Sequence, residues 1–390
     1  MASIFRCADI VLCAASASNS TEGCSIDEAL EPASSFPFPS ALSYQSNTSS
    51  QVHDVPRTQL FIRRDDGARS SLETCPIQKR GWIFQEILLA QRVLYFVNGQ
   101  MIWQCHGLLQ SEDGHISKTQ TPGILRIDND RILSSAPLYD LKKQFRIGMD
   151  KHVWWHILKD FFKRVFTKPE DTLPSLAGLI DVWKEHTGDD PVLGLWRKDL
   201  PFHMCWFFGP AFSIGDRVRG QPSWCWTTVP QSNRAILRHA SCNIARSAEI
   251  IWQAAIRAID IQWEGRPFVS RLKHARLSIY RVRATKGAFN QAISYLWDDK
   301  EEYGSRKAEA VEVLPLIITK SVDEDQTEGD RFHMHALLLE PSHMANGHAG
   351  YRRKGYADFI SSSDYVDTDI DQQADEIIGG IEVIDVITVV

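Results

Sequence analysis

The chain has 390 residues, 43% hydrophobic and 10% aromatic, with 12 Trp, which describes a folded protein with room for two or three cores and excludes a disordered one. A formal net charge of −6 gives no electrostatic case for nucleic acid or an anionic membrane, and no apolar run reaches the length of a bilayer span. Eight scattered Cys without a Cys-x-x-Cys pair read as small buried hydrophobes, not as a disulfide or metal framework.

Residues 1–15 read as a helical turn running into a strand over Ile10–Ala15, and Arg6 and Asp9 interrupt any signal-peptide core, so a cytosolic protein is expected. Residues 16–54 are rich in Ser, Pro and Asn and read as an irregular loop. Thr58–Arg63 is a strand candidate, and Cys75-Pro76 breaks the chain before its most informative stretch, Arg80 to Cys105. There Trp82, Glu86 and Leu89 recur at helical spacing, with Ile83, Phe84, Ile87 and Leu88 opposite. That pattern predicts a helix apolar nearly all round, and therefore buried, that carries one carboxylate. Arg92–Val97 and Gln100–Cys105 alternate as strands around an Asn98-Gly99 type I′ turn. The two-residue turn sets Val97 opposite Gln100, Phe96 opposite Met101 and Leu94 opposite Trp103, and the face of Leu94, Phe96, Met101 and Trp103 is expected against the helix.

Residues 110–137 are polar and turn-rich and read as a linker. Lys151–Phe166 predicts an amphipathic helix with Trp154, Ile157, Leu158, Phe161, Phe162 and Val165 on one face. Thr167 and Glu170 have capping-box spacing, with the regular helix expected from about Leu173 toward Gly188, and Asp190-Pro191 reads as a third helix start. Beyond Pro222 the period changes to two, with strands expected at Ile250–Trp263, Leu277–Arg283, Val311–Thr319, His333–Leu339 and Ile377–Val390. Acidic loops at 322–330 and 364–376, and short basic clusters such as Arg352 to Lys354, read as solvated.

Glu86 is the sharpest chemical candidate, since a carboxylate on an apolar helix has a raised pKa unless a donor meets it. The competing reading is a structural acid that accepts hydrogen bonds from Arg80, Arg92 or backbone amides. Arg80 and Arg92 bracket the helix and suit either the Glu86 carboxylate or a phosphate. His152 and His156 have a helical metal spacing but lack a third ligand, and Cys105-His106 and His333/His335 are weaker still, so no metal is expected. Trp206, Trp224 and Trp226 read as core at the junction between the helical and β-rich segments. No Ser-His-Asp, nucleophile-elbow or phosphate-loop pattern is present, and no cofactor is expected.

Arg80, Gly81, Trp82, Gln85, Glu86, Arg92, Trp103 and Cys105 together resemble the last conserved block of the fungal heterokaryon-incompatibility (HET) domain, with Gln104 where that family often has Glu. The opening MASIFRCADIVLCAASASNSTEGC resembles the family's helix-to-strand passage. PEDTLPSLAGL, LGLWRKDLP, PSWCWTTV, HALLLEP and YRRKGYADF resemble segments that follow the domain, the last a closing hairpin over Gly350–Phe359. The family's Ala-Leu-Ser-Tyr-x-Trp-Gly opening and Trp-Ile-Asp strand are not found. Met1 falls where the family has an internal methionine, so a domain lacking its first half is expected. ALSYQS at Ala41–Ser46 echoes the opening out of order and reads as coincidence.

The resemblance implies an α/β fold distantly related to Toll/interleukin-1-receptor-like domains, some of which cleave NAD with a glutamate. The expected order is the carboxy-terminal part of a HET domain over 1–110, a helical connector over 138–221 and a β-rich carboxy-terminal domain over 222–390. The implied function is cytoplasmic non-self recognition in a filamentous fungus, with a protein as partner and programmed cell death as outcome; neither nucleic acid nor membrane is expected to take part. The alternatives are an inactive structural remnant or mis-started gene, and an NAD-cleaving hydrolase that uses Glu86, with no turnover expected from a domain lacking half its nucleotide pocket.

Overall fold

The amino-terminal unit is built from one apolar helix set against a five-stranded sheet. It opens with α1 (Ala2–Cys7) and β1 (Val11–Ala14), and a separate ribbon pairs β2 (Ser34–Pro37) with β3 (Gln59–Ile62). A 3-10 turn over Pro76–Lys79 leads into α2 (Gly81–Leu89). Then come β4 (Val93–Val97), β5 (Gln100–Cys105), β6 (Leu108–Ser111) and β7 (Ile116–Lys118). The sheet order is β1-β4-β5-β6-β7, with β1 parallel to β4 and the remainder antiparallel. A parallel pair needs a long crossover connection, here containing α2. In this computed structural model the described residues are 2–24, 34–37, 59–62, 72, 75–97, 100–105, 108–112, 116–118, 151–209, 214–240, 249–283, 289, 291–298, 311–321, 331–343, 349–361, 375, 377–379 and 381–390. They form two compact units, the first ending with β7.

The β4–β5 register is the expected one, Val97 opposite Gln100, Phe96 opposite Met101 and Leu94 opposite Trp103; the turn residues Asn98 and Gly99 lie outside the described residues. The inward face is the other one. Val93, Tyr95, Val97 and Ile102 are buried with Cys13, Ala15, Cys75 and Ile77, and Ile83 and Ile87 pack on this cluster. Both faces of this ribbon are apolar, so alternation alone does not say which one the core takes. Helix α2 is not buried all round: Phe84, Gln85, Leu88 and Leu89 are buried, whereas Trp82, Ile83, Glu86 and Ile87 are half-exposed. The stretch expected to be a linker from residue 110 instead continues the sheet with the end of β6 and β7.

The second unit begins with α3 (Lys151–Phe161), α4 (Ala177–Thr187), a hairpin of β8 (Pro191–Val192) and β9 (Leu195–Trp196), α5 (Leu200–His203), a pair formed by β10 (Trp206–Phe207) and β11 (Arg238–His239), and, between those two strands, α6 (Gln231–Arg234). Helix α3 stops five residues short of its expected end, leaving Val165 58% exposed while Arg164 is buried against Asp160 at 3.0 Å. Thr167 caps no helix: 3-10 turns at Pro169–Asp171 and Pro174–Leu176 precede α4, which has no side-chain cap. Asp190-Pro191 starts a hairpin, not a helix. Leu193 (φ 52°) and Gly194 (φ 78°) are both left-handed, the requirement of a type I′ turn. Asp190 instead meets Lys184 at 2.9 Å on the surface.

The β-rich part is one sheet of β12 (Glu249–Gln253), β13 (Ile256–Trp263), β14 (Leu272–Arg283), β15 (Gln291–Trp297), β16 (Glu312–Ser321), β17 (Arg331–His343), β18 (Ala349–Ile360) and β19 (Glu382–Val389). The order is β12-β16-β17-β18-β19-β14-β13, with β15 added beside β18. The single strand expected at Ile250–Trp263 is two, β15 is additional, and Gly350–Phe359 is one strand paired along β17 rather than a hairpin in itself. The register of β16 shifts between Pro315 and Ile317, where proline has no N–H to give. The loops at 322–330 and 364–374, and Ala41–Ser46, lie outside the described residues.

Arg353 ties the helical and β-rich parts of this unit together. It is fully buried on β18, donates through Nε to Asp298 at 3.2 Å and through Nη1 to the Met204 carbonyl at 2.8 Å, and also bonds the Trp206 carbonyl. Its guanidinium lies 3.4 Å from the centroid of the Trp206 ring. The middle residue of the Arg352–Lys354 cluster is therefore core, because the strand alternation turns it away from its two neighbours. Trp206, Trp224 and Trp226 are fully buried, and the Trp206 indole donates to the Trp224 carbonyl at 3.1 Å.

Candidate functional site

A cavity of about 260 Å³ opens beside α2 in the amino-terminal unit, with Val11, Cys13, Asn19, Arg80, Ile83 and Glu86 among its lining residues. Each reaches it for a local reason. The alternation of β1 turns Cys13 inward. Asn19 holds a polar turn, accepting from the Thr21 amide at 2.9 Å and donating to Glu22 at 2.8 Å. Arg80 is the extended residue before α2, with φ −81° and ψ 128°, so it stands outside the helix while Ile83, Glu86 and Ile87 line the cavity at helical spacing.

Burial pushes the Glu86 carboxyl above the usual carboxylate range, and the positive charge of Arg80 partly opposes the shift. A carboxyl so placed exchanges protons closer to neutrality than a free one, and a neighbouring cation can hold an anionic group beside it. Cys13 offers no nucleophile. Its thiol is pushed up to about 12, first by burial and then by Cys75, Glu86 and Cys24, and it stays protonated at neutral pH.

Arg80 and Glu86 thus line one cavity, and Arg92, Trp103 and Cys105 are not part of it. The Arg92 guanidinium donates instead to the Asp9 carbonyl at 3.3 Å. Trp103 and Cys105 lie on the half-exposed face of β5. Gln104 is buried and accepts from the Tyr95 hydroxyl at 2.5 Å, a position where a neutral amide avoids the desolvation a Glu would suffer. Gly81 and Gln85 are buried and Trp82 is half-buried. Cys13 and Asn19 were not singled out from sequence; the inward phase of Val11, Cys13 and Ala15 was the available signal.

Among the described residues no group of three His, Cys, Asp or Glu could hold a metal ion; the side chains of His152 and His156, and His106, lie outside the described set. His335 is 2% exposed, with Nδ1 2.6 Å from the Tyr356 hydroxyl and Nε2 3.4 Å from Thr319, so both ring nitrogens are engaged in the core. The described cysteines are free thiols. Among the described residues no helix is long and apolar enough to cross a membrane.

Neither a curated protein nor a solved structure matches the chain. One family model does match, and its span takes in Arg80, Gly81, Trp82, Gln85 and Glu86 while ending before Arg92, Trp103 and Cys105. That family is the heterokaryon incompatibility protein (HET) family, and it is residues 1–86 of the chain that match it.

Proposed function

We propose that the chain is a non-self recognition effector of a filamentous fungus, acting in the cytoplasm by contact with a protein partner and leading to growth arrest or cell death. One coincidence carries this reading: every residue lining the Glu86 cavity except Ile87 falls inside the family-matched segment 1–86. The parallel β1–β4 pair with α2 in its connection supports kinship with the Toll/interleukin-1-receptor-like layer. The test is inducible expression of the full chain and its Arg80→Ala variant in a panel of fungal strains, with hyphal death read by a vital dye. Arrest in some strains with the unaltered chain, relieved by Arg80→Ala at equal protein level, is expected. Equal growth of induced and uninduced cultures in every strain overturns the proposal.

A second reading, NAD cleavage, is favoured by the raised Glu86 carboxyl beside Arg80. Against it, a cavity of about 260 Å³ lies below the range of about 300–1,000 Å³ that encloses a drug-sized ligand, so a dinucleotide would fit only in part. Cellular NAD after expression of the unaltered chain and of Glu86→Ala decides the matter. Unchanged NAD in both is expected, and depletion by the unaltered chain alone would establish the hydrolase.

A further inference from the structure

A second cleft, of about 520 Å³, lies in the carboxy-terminal unit and is lined by Gly215, Asp216, Arg217, Arg219, Arg352 and Lys354. Four of these side chains are cationic, one is a carboxylate and none is apolar, on a chain whose net charge is −6. The lining is a consequence of how β18 and one loop are held. On β18, alternation places Arg352 and Lys354 on the face opposite buried Arg353. The loop is pinned at both ends: the Ile214 amide donates to the Asp298 carbonyl at 2.6 Å, Asn233 donates to the Ile214 carbonyl at 2.9 Å, and the Val218 amide donates to the Thr228 carbonyl at 2.8 Å.

Arg217 is the anchored member of the group. Its side chain is 10% exposed, and its Nη2 donates to Asp298 at 2.8 Å and to the Arg353 carbonyl at 3.0 Å. Its Nη1 is buried without a hydrogen-bond partner among the described residues. Asp298 also carries Arg353, so two guanidinium groups share one carboxylate and a positive charge is left over beside the cleft. Lys354 is engaged with Glu340 at 3.6 Å. Arg219 and Arg352 are exposed, and among the described residues neither pairs with a carboxylate.

The geometry points to a binding site for a small molecule carrying two or more phosphoryl groups, with Arg219 and Arg352 taking the phosphoryl oxygens and Arg217 supplying fixed positive charge. Guanidinium forks match phosphate oxygens two at a time, which suits them better than a point charge for this task. Among the described residues no aromatic or aliphatic side chain lines the cleft, so the contacts it offers are to the anionic part of a ligand.

The test is calorimetric titration of the full chain with inorganic tripolyphosphate, at low and at physiological salt, alongside the Arg219→Ala/Arg352→Ala double variant. Both residues are exposed, so the variant is expected to unfold at the same temperature. Expected are one site per chain, affinity that falls as salt rises, and a loss of about tenfold or more in the double variant. A parallel arm sediments the protein with phosphatidylcholine vesicles with or without phosphatidylinositol bisphosphate. Vesicle binding lost in the double variant assigns the phosphoryl groups to a lipid headgroup, and tripolyphosphate binding alone assigns them to a soluble ligand. No binding in either arm, equal binding by the double variant, or capture only of a single-stranded oligonucleotide that tripolyphosphate does not displace overturns the proposal.

Discussion

Glu86 and His335 are both held toward their neutral forms by burial, and because one is an acid and the other a base their effects on stability lie on opposite sides of their titrations. The Glu86 carboxyl binds its proton more tightly folded than unfolded, so the native state loses stability as pH rises through and above the carboxylate range. Replacing it by Gln should stabilise the protein at pH 7 by a few tenths to about 1 kcal/mol, the group being half-exposed and screened. The gain should vanish below about pH 4, where both states are protonated; urea unfolding at the two pH values measures it, and a loss at pH 7 would show that the ionised form is the stabilised one. His335 is lowered to about 4 by burial, against the pull of Asp358. Between the unfolded value near 6.5 and that folded value only the unfolded chain takes a proton, so stability falls as pH drops through this window, by on the order of 3 kcal/mol in all. In His335→Gln that arm of the stability profile should flatten. Glu86 was legible in the sequence because a charge interrupting an apolar helix is conspicuous. His335 was not, because alternation on β17 gives its phase but not that both faces of the strand are covered.

Gly188 and Gly194 separate two costs that a glycine substitution usually mixes. Both have positive φ, 65° and 78°. A Cβ on Gly188, the residue that ends α4, would meet nothing within 4 Å, whereas one on Gly194 would lie 3.2 Å from the Trp226 ring and 3.4 Å from Leu173. Gly188→Ala should therefore cost only the left-handed strain, about 1–2 kcal/mol. Gly194→Ala should cost that and about 1–3 kcal/mol more for overpacking, and equal losses in denaturant unfolding would refute the clash. The β8–β9 hairpin around Gly194 also shows where legibility ended. Asp190-Pro191 carries a good local helix-start signal, but two-residue strands are too short for a period. Their stability comes from tertiary contacts such as the Trp154 indole donating to the Gly194 carbonyl at 2.7 Å. The β4–β5 ribbon is the complementary case. Its register followed from its turn length, while the choice of buried face depended on Cys13, Ala15 and Cys75, which no local pattern connects to it.

At the level of the whole carboxy-terminal unit, the Arg353–Asp298–Arg217 group joins segments that the sequence presents as a helical stretch and a later β-rich stretch. Arg353 and Asp298 belong to the β-rich part, at 0% and 1% side-chain exposure, while the Met204 and Trp206 carbonyls and Arg217 belong to the part before it. Burial of so many charges confers little net stability while complete, but removing one member leaves the others desolvated and unmatched. Arg353→Leu should lower stability by about 3–5 kcal/mol, since it deprives two buried carbonyls of a donor and Asp298 of one of its two cations. Asp298→Asn should cost at least as much, because two buried guanidinium groups then face no carboxylate. If the group couples the two segments into one folding unit, each variant, made with Trp82, Trp103, Trp252, Trp263 and Trp297 replaced by Phe so that the remaining Trp residues all lie in the helical segment, should shift unfolding followed by Trp fluorescence together with unfolding followed by far-UV circular dichroism of the strands. The slope against denaturant should stay unchanged in both variants. A shift of the fluorescence transition alone would mean that the helical segment unfolds by itself, leaving the sheet independent of the arginine that enters it.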